Sequence, residues 1–183
     1  MRLLPLACVV ALLTACTTGT NAPDQAPERS EQAAATWSIR KNGIAVRVPD
    51  GWHATTTRLT AVDWPVQRLA VASYPLVQRA PDDGCYPRSA REAMGPDDAL
   101  VILIEYTSEF ADIGSLPDFP LRTRFRLDDD TFAPYECFGE SYLIRFRERG
   151  RRFQAHVAFG DRVMARTRSR AVAALNSLVI EPG

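Results

Sequence analysis

The sequence predicts an α+β fold: a mainly antiparallel sheet with a short internal helix and a C-terminal helix packed on it. Three observations lead there. Asn42-Gly43, a hairpin-turn dipeptide, sits between two short apolar stretches. Residues 141–160 alternate apolar and polar side chains on both sides of a glycine-containing turn. Helical signals are confined to a short stretch near residue 90 and to the C-terminus. Strands that follow strands, with no regular strand–helix alternation, favour α+β over a parallel α/β arrangement.

Taken in order, Trp37-Ser38-Ile39 and Ile44-Ala45-Val46-Arg47-Val48 are the first two strands, and Pro49-Asp50-Gly51-Trp52 turns the chain. Leu69 to Tyr74 is a third strand, and Pro81-Asp82-Asp83-Gly84 is a loop that leads into Cys85. Pro87 to Met94 reads as a short helix, with Ser89 near its start and Gly95 beyond its end. Ala99 to Tyr106 is a continuous apolar run rich in β-branched residues, which predicts a central strand buried on both faces. Residues 108–121 contain Gly114, Pro117 and Pro120 and read as a long loop; Phe125 to Leu127 reads as extended.

In the strongest hairpin signal, Tyr142, Ile144 and Phe146 point inward, and Leu143, Arg145 and Arg147 outward. On the return strand Phe153, Ala155, Val157 and Phe159 point inward, and Arg152, Gln154, His156 and Ala158 outward. Ser169 is placed as an N-cap, with Ala171, Val172, Leu175 and Leu178 on one helical face, followed by a short Val179-Ile180 tail.

Charge narrows the functions. Lysine and arginine together number 22 and match 22 acidic residues, and only Lys41 is a lysine. A near-neutral chain does not carry the basic excess of a general nucleic-acid binder, so no nucleic-acid partner is expected. No cofactor is expected either. The surface feature that stands out is five arginines in eight positions: Arg145, Arg147 and Arg152 on the outward hairpin face, with Arg149 and Arg151 at its tip. Guanidinium forks suit phosphate and carboxylate, so an anionic lipid or an acidic envelope polymer is a candidate partner. The alternative is a solvated face balanced by Glu140 and Glu148.

Candidate catalytic groups do not assemble in the sequence. Gly139-Glu140-Ser141 runs on into Tyr142 and leaves a nucleophile elbow incomplete. His53 falls in a turn, and His156 is read as a surface histidine. Glu105 lies inside the apolar strand and needs a partner or a cavity there. Either it forms a salt bridge with an arginine, or it pairs with another carboxylate among Glu109, Asp112, Glu136 and Glu140 as a hydrolase would require. Asp128-Asp129-Asp130 lacks the spacing of a calcium loop and reads as a turn, and no metal site is expected.

The N-terminus reads as an address. Arg2 is followed by an apolar run from Leu3 to Leu13, then by Leu13-Thr14-Ala15-Cys16. About eleven apolar residues are too few to span a bilayer, which takes roughly 20, and they suit the core of a secretory signal peptide. The Leu-Thr-Ala-Cys run resembles the lipobox of bacterial lipoproteins. That resemblance implies cleavage before Cys16, a diacylglyceryl group on its thiol, and an extracytoplasmic protein anchored to the cell membrane. An ordinary signal peptide with Cys16 near the cut is the alternative.

The expected organisation is a signal peptide over 1–15, a lipidated N-terminus and flexible tether over 16–35, and one globular domain over 36–183. Cys8 leaves with the signal peptide. Cys85 and Cys137 remain, an even pair in a chain bound for an oxidising compartment, which predicts a disulfide between them. Two free thiols, or a metal site built from them with His53 and His156, are the alternatives.

Ile44-Ala45-Val46-Arg47-Val48-Pro49-Asp50-Gly51-Trp52 and the closing Leu175-Asn176-Ser177-Leu178 resemble Mog1/PsbP-type domains, a group that includes small actinobacterial exported lipoproteins of the LpqN type. The resemblance covers the two ends of the domain, and it implies a binding or adaptor module. Three function classes follow: a non-catalytic envelope lipoprotein binding a protein or envelope component, a carrier of a small apolar or lipid ligand with a cavity between sheet and helix, and an envelope hydrolase with an acid pair around Glu105.

Overall fold

A computed structural model describes residues 37–76, 80–107, 118–128 and 131–183. These lie in the second of two compact units of the chain, 33–183; the first, 1–32, falls outside the described residues. Cys16, the apolar run before it and the tether up to residue 35 are therefore outside them, as are Glu109, Asp112, Asp129 and Asp130.

The fold is α+β and antiparallel. A small sheet holds β1 (Trp37–Lys41), β2 (Ile44–Val48) and β9 (Val179–Ile180) in the order β1-β2-β9. A second sheet has the order β3-β4-β5-β8-β7-β6, built from β3 (His53–Thr55), β4 (Val66–Ala72), β5 (Ala99–Tyr106), β6 (Phe132–Tyr135), β7 (Gly139–Glu148) and β8 (Arg151–Phe159). The helices are α1 (Arg88–Ala93) and α2 (Ala165–Asn176).

Two turns set the hairpins. Asn42 and Gly43 have φ of 53° and 67°, and Arg149 and Gly150 have φ of 53° and 79°. Both residues in the left-handed region is the geometry of the tight two-residue hairpin turn, whose twist matches that of the strands it joins. Gly43 is constrained twice over, because a Cβ there would also press on Arg151 Nη1 at 3.1 Å.

One core fills the face of the large sheet that α2 covers. Val101 and Leu103 of β5, Phe153, Ala155 and Val157 of β8, and Phe146 of β7 meet Ala171, Ala174 and Leu175 of α2 together with Ile44, Val46 and Val48 of the small sheet. Phe125 lies outside any strand and is fastened to α2: its N–H donates to Asn176 Oδ1 at 2.8 Å and its carbonyl accepts from Asn176 Nδ2 at 3.2 Å.

Three expectations need correction. Ser169 is not the N-cap, because α2 begins at Ala165 after an extended Met164. The earlier start follows from tertiary contact: Arg168 lies over the ring of Phe159 at 4.5 Å and donates to the Tyr142 hydroxyl, which fastens the first turn to the sheet. Leu143, Gln154, His156 and Ala158, read as outward, are buried, because a second layer covers that face of the sheet. Arg151, placed at the hairpin tip of a solvent-facing cluster, is turned into the protein with only 10 % of its side chain exposed. Its register explains this. Arg151 pairs with Glu148, across from Arg147 and Arg152, and so falls on the α2 side, where Glu105 of β5 awaits it.

Candidate functional site

Alternation along β5 places Leu100, Ile102, Ile104 and Tyr106 on the face away from α2, where the strand is also buried. The cross-strand register arranges that face in rows. One row runs Gln67, Ile104, Gln154, Arg145 across β4, β5, β8 and β7, and the next runs Ala70, Ile102, His156, Leu143. Over these rows lies a roof. The loop 56–65 is held down by Gln67, whose Oε1 accepts from the Leu59 N–H at 3.0 Å and whose Nε2 donates to the Thr57 carbonyl at 3.1 Å. Trp64 of the same loop donates to the Thr107 carbonyl at 3.2 Å and meets Tyr106 edge to face.

The rest of the roof is the Cys85–Cys137 disulfide. It joins the loop before α1 to the β6–β7 turn across 52 residues, with Cα atoms 4.9 Å apart. Phe138, beside it, stacks on the His156 ring with centroids 3.7 Å apart, and Tyr135 meets the same ring edge to face.

Between floor and roof is a cavity of about 380 Å³, mostly apolar, lined by both disulfide cysteines, Trp64, Phe138, Ile104 and Leu143 among others. This volume falls in the range of small-molecule sites, roughly 300–1,000 Å³. It lies on the face of the sheet opposite α2, not between sheet and C-terminal helix as expected.

Polar groups punctuate the lining. His156 Nδ1 lies 3.3 Å from Ser141 Oγ, while its Nε2 is buried with no hydrogen-bond partner. Burial, and then the positive charge of Arg145, push its pKa down to about 3, so the ring is neutral. Ser141 is wholly buried and is not part of the cavity wall, so this serine–histidine pair presents no nucleophile to a bound molecule. Gln154 and Arg145 also line the cavity, and neither side chain has a hydrogen bond or ion pair among the described residues.

The remaining sequence candidates disperse. Glu105 is ion-paired, one of the two alternatives left open for it. Its Oε1 accepts from Arg151 Nε at 2.7 Å and its Oε2 from Arg151 Nη2 at 2.8 Å, and Arg68 Nε completes the site. Burial alone would raise this carboxyl, but the hydrogen bonds and charges of Arg151 and Arg68 outweigh it and hold the pKa below its ordinary range. Arg151 also donates to the carbonyls of Asn42 and Glu181, which ties the large sheet to the small one. A general acid needs a raised pKa, and Glu105 has the reverse.

Of the five hairpin arginines, Arg145, Arg147 and Arg149 remain exposed, Arg152 is half-buried, and Arg151 is withdrawn. Arg147 lies 3.8 Å from Asp118, and Glu148 pairs with Arg122, not with the hairpin. His53 is exposed on β3. Among the described residues no group of three His, Cys, Asp or Glu side chains is placed to hold a metal ion, and no helix is long and apolar enough to cross a membrane.

No family model matches the chain, and no curated protein or solved structure matches it. Sequence reasoning missed the floor of the site, because polar residues alternating along β8 look like a solvent face. The one local hint was the two cysteines, which announced that distant segments meet.

Proposed function

We propose that this protein is a lipid-anchored, non-catalytic binding protein of the cell envelope, and that its working part is the cavity under the Cys85–Cys137 disulfide, which holds a small, largely apolar molecule. The observation that carries this reading is the mostly apolar cavity of about 380 Å³ over Ile104 and Leu143, open at its Arg145 edge. A packed domain interior leaves few voids much larger than a water molecule, so a cavity this size with unpaired polar groups in its wall suits a ligand. The hydrolase reading loses its carboxylate to Arg68 and Arg151. The adaptor reading, which the likeness to Mog1/PsbP-type domains implies, places binding on a sheet face; here much of that face is covered and encloses the cavity. The anchor rests on the run that ends in Cys16.

Two experiments test the two halves. The neutral fluorescent probe N-phenyl-1-naphthylamine, titrated into the full chain carrying Cys16→Ser, is expected to bind saturably at one site. Ile104→Trp, which fills the cavity, is expected to abolish the signal, while the surface control Val179→Trp leaves it intact. Equal binding by the filled variant, with far-ultraviolet circular dichroism unchanged, overturns the cavity as the site. For the anchor, the native chain is expected in the membrane fraction with a mass starting at residue 16 plus lipid, and Cys16→Ser in the soluble fraction. Equal distribution of both chains refutes it.

A further inference from the structure

Polar side chains interrupt the apolar wall of the cavity, and three of them, Arg145, Gln154 and His156, leave polar atoms without a protein partner among the described residues. Arg145 sits at the exposed edge of the floor with no carboxylate or carbonyl partner among the described residues. Gln154, directly across the strand pair from it, has an amide with no hydrogen bond. Deeper in, His156 keeps Nδ1 on Ser141 and leaves Nε2 buried and unpaired. A buried polar atom without a partner costs stability, and the wall of a binding site is one of the few places where a fold retains it.

The spacing of these groups describes a ligand. Arg145 and Gln154 share a row, and His156 lies in the next one, opposite Leu143. Two residues along a strand and one strand across separate the Arg145 and His156 backbones by roughly 8 Å. The apolar floor beside them is Leu143 on β7 and, on the other side of β8, Ile104 and Ile102 of β5, and the ring of Phe138 closes over His156. A guanidinium beside an amide donor matches a carboxylate, which accepts from both. A hydroxyl donates as well as accepts, so it satisfies His156 Nε2 whichever ring nitrogen carries the proton.

Resting on the cavity reading, we infer that the ligand is a hydroxylated apolar carboxylic acid, with its carboxylate on Arg145 and Gln154, its body between Ile104, Leu143 and Phe138, and its hydroxyl on His156. An aromatic hydroxy acid spans the distance and stacks within the aromatic lining. A preference for the charged acid separates this site from a general apolar pocket.

Isothermal titration calorimetry of the full chain carrying Cys16→Ser tests it with three probes: 3-(4-hydroxyphenyl)propionate, its neutral primary amide, and 3-phenylpropionate. The acid is expected to bind about tenfold or more tighter than the amide, since charge-assisted hydrogen bonds are the stronger kind. In Arg145→Ala, an exposed substitution that leaves the core untouched, that ratio is expected to fall to about one. Arg149→Ala, at the turn of the same hairpin, is expected to preserve it.

Removing the hydroxyl is expected to weaken binding severalfold in the parent and to make no difference in His156→Phe, whose fold is checked by circular dichroism. Equal affinity for acid and amide overturns the inference, as does a preference that survives Arg145→Ala. A hydroxyl effect that persists in His156→Phe overturns the assignment of that end. If the naphthylamine probe binds in the cavity but none of the three acids and amides does, the ligand class is wrong and the cavity reading stands. If nothing binds, both fall.

Discussion

Lowering the pH from about 7.5 to about 5 puts the buried histidine to a quantitative test. His156 is 4 % exposed and its pKa is pushed from 6.5 down to about 3, first by burial and then by Arg145. The unfolded chain takes up a proton on this ring near pH 6.5; the folded chain does so only near pH 3. Acid therefore favours the unfolded state. The contribution is fully present above 6.5, begins to be lost as the pH falls through 6.5, and is lost completely below about 3.

Integrated over the window between about pH 7.5 and pH 5, this single group removes about 2 kcal/mol of folding stability. The assay is urea unfolding followed by tryptophan fluorescence at both pH values, in the parent and in His156→Phe. Phenylalanine keeps a ring against Phe138 and cannot titrate. Other titrations are common to both chains, so the loss in the parent minus the loss in the variant isolates His156. A difference near 2 kcal/mol agrees with a neutral, desolvated imidazole. Parallel pH dependences in the two chains would show that His156 protonates freely in the fold, and would refute the argument that the roof excludes water from the floor.

Further outcomes follow from the same structure. Glu105→Gln removes the carboxylate between Arg68 and Arg151 and is expected to destabilise by about 3–5 kcal/mol in urea unfolding, because two nearly buried cations lose their counter-ion. Asp63→Asn, which breaks the exposed pair with Arg58, is expected to cost less than about 1 kcal/mol; comparable losses would refute the distinction drawn from burial. Replacing both Cys85 and Cys137 by serine opens a loop of 52 residues and is expected to cost about 4 kcal/mol by the chain-entropy estimate. The same double variant is expected to weaken capture of the naphthylamine probe, because the disulfide is part of the roof; unchanged probe affinity would show that the roof holds without it.

Local chemistry made much of the fold legible. Asn42, Gly43 and Gly150 are residue types that suit the left-handed turn positions they occupy, and Arg149 takes the remaining one against its preference, so both hairpins stand where the turn signals put them. The apolar run from Ala99 to Tyr106 is the central strand buried on both faces. Cys85 and Cys137, the two cysteines left after the N-terminal pair, are joined. Two short strands went unread. His53–Thr55 and Phe132–Tyr135 carry Ala54 and Pro134 where a strand signal would need apolar alternation, and they are strands only because β4 and β7 offer them an edge.

By itself, then, the sequence determined the fold class, the hairpin turns, the double-sided burial of the central strand and the disulfide, because each follows from interactions within a few residues or from the pairing of two remaining thiols. The Glu105 partners and the fate of Arg151 depended on register across β5 and β8. Only the tertiary structure decided which polar residues of β7 and β8 meet solvent. Arg145, Gln154 and His156 alternate like a wet face, and they are floor and rim of a cavity because loop 56–65, the disulfide and Phe138 close over them. Much of that roof comes from segments tens of residues away along the chain, and no local periodicity encodes what will be laid across a strand from such a distance.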